Sequence, residues 1–444
     1  MRYSTWLFKT FIAAVCILPS ATQAQFSDSI PYMRYNDKRG VNVFETTKET
    51  PIAFTGVKVR FGGGFTQTFQ GLKHENSYGK NTTVKLYGIT PGFNTAEANL
   101  TMDVALAEGI RLNLTSYLSS RHHNETWVKG GYIQIDKLPF KGEIWDRIMS
   151  VTTIKVGHME INYGDQHFRR SDGGHTFYNP FIENYIMDAF TTEIGGEVYV
   201  QKNGFLGMIG ITNGLVKGNV DSVTVNSTVV DGNVHKSPSI YLKGGFDRQL
   251  TDKIRVRFSA SYYHNNSAGK DGNTLYAGDR TGSNYFMVVE PALVNGTAPT
   301  YATNFTSGRL NPGFTKKIDA LQFNGFAKVA GIELFGTFEK ARGRSRTESY
   351  SRKMNQFAID AIYRFGYNEN LFVGARYNNV NGLLAGFDNN ITVERIVGSA
   401  GWFITRNILL KGEYVQQKYF DFPNADIRNG GKFNGYVIAA SVGF

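Results

Sequence analysis

Cysteine is nearly absent from this 444-residue chain, and Cys16 is the only one. A single thiol cannot close an internal disulfide, so neither a disulfide framework nor paired-thiolate chemistry is available. Proline is scarce, with 11 residues against 49 glycines, which leaves few fixed bends. Long apolar runs are missing as well. Residues 11–18 form one uninterrupted stretch, well short of the ~20 residues that a membrane-spanning helix needs. The formal net charge of +11 is spread along the chain instead of gathered in a patch, which argues against a nucleic-acid partner. Histidines and acids are present, but their spacing matches no zinc motif, and neither a metal nor another cofactor is implied.

The N-terminus has the layout of an export signal. Arg2 and Lys9 precede and flank the apolar run, and Pro19-Ser20-Ala21-Thr22-Gln23-Ala24 offers small residues for cleavage after Ala24. Residues 1–24 are therefore expected to be a signal peptide. Lipidation at Cys16 is disfavoured because Val15, not a small residue, stands before it. Removing Arg2 and Lys9 leaves the remainder at +9 and without cysteine. With no later apolar helix, only a closed barrel could hold the rest of the chain in a membrane, since every backbone donor and acceptor must then be paired internally.

Alternation of apolar and polar residues recurs along the chain, as strand geometry requires. Ala98, Leu100, Met102, Val104 and Leu106 share one face, and Ile110, Leu112 and Leu114 follow after a turn at Ala107-Glu108-Gly109. The same unit recurs about Asn203-Gly204, Asp252, Gly331, Glu369 and Arg406. These are tight hairpins separated by longer polar segments, the largest over 265–316. The chain ends on Tyr436, Ile438, Ala440, Val442 and Phe444, all on one strand face. That ending resembles the closing strand of bacterial outer-membrane barrels, where it serves the barrel-insertion machinery. The spacing predicts strands over 56–70, 98–106, 110–118, 127–136 and 151–158. A short helix over 141–149 falls between the last two. Ten further strands flank the five later turns, and a final strand covers 433–444. The fold expected is all-β: a transmembrane antiparallel barrel of sixteen strands over residues 53–444, with short periplasmic turns and long external loops. Residues 25–52 are charged and irregular, and read as a periplasmic extension or a strap within the barrel. A soluble β-protein would alternate too, but strands rarely recur at this length without a second domain.

Charge assigns the faces. A Lys or Arg on the lipid side of such a barrel costs ~2–4 kcal/mol at the membrane midplane, so the charged face should look inward. Lumen-facing candidates are Lys58, Arg60, Arg111, Lys155, Lys243, Arg255, Arg257, Arg376, Lys411 and Glu413, with Lys328 and Arg364 beside them. Asp103, Glu193, Glu197, Asp247, Glu333, Glu339 and Asp360 oppose them. The balance is modestly basic, which fits a weak anion preference. It fits equally a lumen that mixed charges keep wet.

Residues 160–180 are the densest in chemistry. Asp165, His167, Arg169, Arg170, Asp172 and His175 stand among glycines and aromatics in the third external loop, followed by the apolar stretch 181–187. These features together resemble the bacterial general porins and, more distantly, the phosphate-selective porins. The resemblance implies that the third loop folds inward to narrow the channel, with those six residues at the constriction. It also implies passive diffusion of small hydrophilic solutes, a homotrimer, and residence in outer-membrane lipid. The interspersed acids break any clean arginine ladder, so phosphate specificity does not follow.

Two other functions use the same residues. His158, His167, His175, Ser171, Asp165 and Asp172 supply the residue types of a barrel hydrolase, although a nucleophile and its base must lie within hydrogen-bond reach. The long external loops would also suit a surface adhesin or receptor. The expectation is a non-enzymatic channel.

Overall fold

The computed structural model describes residues 30–50, 52–119, 125–172, 174–214, 235–269 and 272–444. The expected signal peptide therefore lies outside the described residues, as do parts of four external loops. Among the described residues, sixteen long strands and one two-residue piece, Gly92–Phe93, make a single antiparallel sheet. The strands are β1 Lys58–Glu75, β2 Glu97–Ala107, β3 Ile110–Leu118, β4 Trp127–Ile135, β5 Thr152–Glu160, β6 Thr192–Lys202, β7 Phe205–Thr212 and β8 Ser239–Thr251. There follow β9 Ile254–Asn265, β10 Lys317–Val329, β11 Ile332–Arg344, β12 Arg352–Phe365, β13 Leu371–Gly382, β14 Ile391–Thr405, β15 Ile408–Phe420 and β16 Lys432–Gly443. Helix α1, Glu143–Met149, interrupts the turn between β4 and β5.

Each strand pairs with its neighbour in sequence, and β1 closes the ring. Its first half pairs β2, from Lys58 opposite Ala105 to Thr66 opposite Glu97. Its second half pairs β16, from Gly64 opposite Gly443 to Glu75 opposite Lys432. A closed sheet has no free edge, so all strand donors and acceptors are used within the membrane. The tight turns all lie at one end. At Asn203-Gly204 both residues have positive φ (53° and 86°), as a two-residue hairpin twisted to match its strands demands.

Alternation then sorts the side chains. Phe258, Ile359, Val373, Ile396, Leu410 and Ile438 project from the outer wall. Aromatics gather near both rims: Phe205, Tyr363, Phe365 and Trp402 by the turns, Trp127, Tyr262 and Phe420 by the loops. An apolar band with aromatic girdles matches a lipid bilayer. The chain is an integral membrane barrel, with tight turns at one end and long loops at the other.

The strand ends expected from sequence fall within a few residues of those observed, and β3 coincides at Ile110–Leu118. The largest difference is β1, which runs on to Glu75 and carries the sheet beyond the membrane toward the external loops.

Candidate functional site

The interior is not an open tube. Three segments enter it: residues 30–49 before the first strand, loop residues 161–191, and the long external loop between β9 and β10. A buried loop must have its backbone groups paired, and the inward polar side chains of the wall do this. Lys411 donates to the carbonyls of Thr176, Asn179 and Phe181 at 3.0, 2.7 and 2.6 Å. Gln356 accepts from the Met187 amide and donates to its carbonyl. Glu413 and Asn378 accept from the Ile182 and Ile186 amides, and Arg395 donates to the Asn184 carbonyl. Phe181, Ile186 and Met187 are thereby held at 0 % exposure, which explains an apolar run in an external loop.

Residues 30–49 lie against the same wall. Phe44 packs edge-on to Phe168 and Phe326, with the Arg257 guanidinium 4.3 Å from its ring centroid. Glu45 pairs with Lys243 at 3.1 Å and Arg257 at 2.7 Å. Burial alone would raise the Glu45 carboxyl, but Arg257 and Lys243 hold it below the usual carboxylate range. Lys48 donates to the Asp136 and Thr152 carbonyls, and the Lys38 amide to the Arg406 carbonyl. The segment is a strap inside the barrel over its described length.

The loop residues expected at a constriction divide into two groups. Asp165 is buried in a bidentate pair with Arg257 at 2.7 and 2.8 Å, with Lys243 and Ser259 also on it. Arg170 is clamped by Asp172 and Asp188 at 2.6–2.8 Å, and Arg309 from the long loop bridges Asp172, Asp188 and Glu183. Arg169 sits over Phe335, 4.9 Å from its centroid, and donates to Asn42. Asp165, Arg169, Arg170 and Asp172 thus hold the loop down. The space beside Arg169 and Arg170 is only about 10 Å³. His167 and His175 instead line open volume, with His167 bonded to Glu160 and Asn162.

That volume is a cavity of about 230 Å³ between the plug and the wall of β2–β6. It reaches Gln134, Thr153 and Gln201 at the turn end and Lys129 and Thr192 at the loop end. Of the lumen-facing candidates, Arg111 and Lys155 line it. Arg111 is bound to Asp103 at 2.5 Å, and Lys155 stands 4.6 Å from the Tyr132 centroid with Glu197 3.6 Å away. Arg60, Lys243, Arg257, Arg376, Lys411 and Glu413 are buried beneath the strap and the loops, while Lys58 and Arg255 are half-buried. A second cavity of about 160 Å³ lies above, lined by Phe190, Thr191, Thr274, Asp279, Arg280 and Phe305. Lys129 and Thr192 line both.

Lys129 was not among the inward candidates read from sequence. Regular pairing between β3 and β4 skips it: Thr115 faces Gly130 and Ser116 faces Val128. Such a bulge re-aims one side chain. The signal was the Gly130-Gly131 pair, which breaks the alternation immediately after it.

No protein-family model matches the chain, and no curated protein matches it by sequence. Solved structures do match. The anion-selective porin of Comamonas acidovorans superposes with a TM-score of 0.52 at 9% identity, over 87% of this chain and 100% of that one. Salmonella typhi OmpF, in complex with daunomycin, gives 0.51 at 11% identity, over 88% and 98%. Pseudomonas putida OprB gives 0.50 at 10% identity, over 87% and 94%. The fold is that of an outer-membrane porin. At these identities the likeness is one of architecture, and solute choice must come from the lining described above.

Proposed function

We propose that this protein is a channel for passive diffusion of small hydrophilic solutes or ions across the outer membrane, with a weak anion preference. The observation that carries the reading is the pair of cavities that meet at Lys129 and Thr192 and run along the inner wall from the loop end to the turn end. This passage is off-axis, because the strap and two loops fill the rest of the lumen. Its lining is modestly basic, with Arg34, Arg111, Lys129 and Lys155 against Glu45, Asp103 and Glu160 in the larger cavity. Fixed positive groups in a narrow pore favour anions.

The hydrolase residues support catalysis less well. Ser171 Oγ bonds Asn184, while His167 is bound to Glu160 and Asn162, so no nucleophile–base pair forms between them. A homotrimer and insertion through the strand ending at Phe444 belong to the same channel reading. The test is reconstitution of the purified protein in a planar bilayer. Stepwise ohmic currents with an anion-directed reversal potential in a salt gradient are expected. Silence would reject the channel, and a cation-directed potential would reject the preference.

A further inference from the structure

At the neck between the two cavities, Lys129 is joined to a residue of the outer cavity, Asp279, that sequence reading did not connect with it. Lys129 is the bulged residue of β4, and its ammonium pairs with the Asp279 carboxylate of the long external loop. Both side chains are nearly inaccessible, at 11 % and 1 % exposure. The other carboxylate oxygen of Asp279, Oδ1, accepts from the Thr281 amide and hydroxyl at 2.8 Å each, which leaves Oδ2 to Lys129. The Lys129 ammonium also stands 5.5 Å from the Phe190 centroid, which confines it from the loop side.

Cations are arrayed on either side of this pair. Arg280 lines the outer cavity and forms no ion pair among the described residues. Lys155 lines the inner one, with its nearest paired carboxylate, Glu197, already accepting from Tyr199, Tyr241 and the Asn162 amide. A solute anion drawn to Arg280 would therefore meet Lys129 next and Lys155 after it.

We propose that Lys129 and Asp279 are the gate of the passage, and that a small anion crosses by taking the place of the Asp279 carboxylate on Lys129. This rests on the channel reading. The exchange needs no net change in charge at the neck: one carboxylate or phosphate oxygen replaces another on the same ammonium. A cation has no comparable route, since Lys129 repels it once Asp279 has moved.

Single-channel recording of the full chain tests this with Lys129→Gln and Asp279→Asn, in gradients of potassium chloride and potassium acetate. Lys129→Gln leaves a bare carboxylate at the neck and should lower the anion-to-cation permeability ratio about threefold; Asp279→Asn leaves a bare ammonium and should raise it by about as much. Shifts in opposite senses are the signature, which loosened packing alone would not produce. Unchanged ratios, or shifts in one sense, with conductance retained, would overturn the gate and leave the channel standing. A silent wild-type protein would overturn the channel itself. Thr192→Cys supplies an independent arm, because Thr192 lines both cavities and Cys16 is otherwise the only thiol in the sequence. Modification with a bulky anionic thiol reagent should remove most of the current; full current after complete modification would place the passage elsewhere.

Discussion

Arg376 lies directly opposite Asp360 across β12 and β13, and two hydrogen bonds of 2.6 and 2.8 Å join them. The same guanidinium donates to the Glu183 carbonyl at 2.7 Å and stacks 4.1 Å from the Phe181 centroid. A wall residue thus grips the inserted loop. Arg376→Ala should leave the Asp360 carboxylate buried without its partner and cost about 3–5 kcal/mol. A lowered unfolding midpoint in detergent checks this, and an unchanged midpoint would show the loop anchored by other contacts. Arg376→Met with Asp360→Leu should recover much of the loss, since two well-packed apolar side chains can replace a buried pair.

The strap fills volume that would otherwise conduct. Deleting residues 30–49 should raise single-channel conductance about twofold or more, because Phe44, Glu45 and Lys48 leave the lumen together. Anion preference should rise as well, since Lys243 and Arg257 then lose Glu45 and keep only Asp165 between them, with Asp247 on Arg257. Conductance at the wild-type level would show that the lost segment had never restricted flow.

On the outer wall, Ile438 is 44 % exposed in the strand that closes the barrel. Ile438→Lys should cost about 2–4 kcal/mol if that position sits near the bilayer midplane. Folding yield into lipid vesicles is the measurement, with Ile438→Val as the mild control.

One carboxyl in the long loop carries a pH signature. Burial pushes Glu290 up to about 7, with Ser307 Oγ bonded to it at 2.7 Å. Because the folded pKa lies above the ordinary carboxylate value, its support for the loop is complete below about pH 4.5 and is lost as pH rises through 7. Protease cutting within residues 272–316 should therefore speed up between pH 6 and 8. Glu290→Gln should flatten that rise; an identical rise in the variant would assign it to another group.

The barrel wall was legible because lipid and lumen impose a period of two on every strand, and Asn203-Gly204 or Arg406-Asn407 mark where it stops. The plug was not. Phe181, Ile186 and Met187 are apolar at the third loop, which signals burial, yet nothing in their spacing shows that Gln356, Asn378, Lys411 and Glu413 would bond their backbone. Those partners come from strands some two hundred residues away, and side-chain-to-backbone pairing leaves no period to read. For the same reason Arg169 and Arg170 looked like a constriction when their guanidiniums are fastened to Asn42, Asp172 and Asp188. Lys129 escaped notice because a bulge breaks the very alternation used to find inward residues.

The strap touches Asp136, Lys243, Arg257, Glu333 and Arg406, contributed by stretches strung along most of the chain. Its berth is finished only when the sheet has nearly curled shut. The segment that precedes every strand in order of synthesis must consequently be among the last to settle, and a barrel caught before that moment would be wider inside than the finished one.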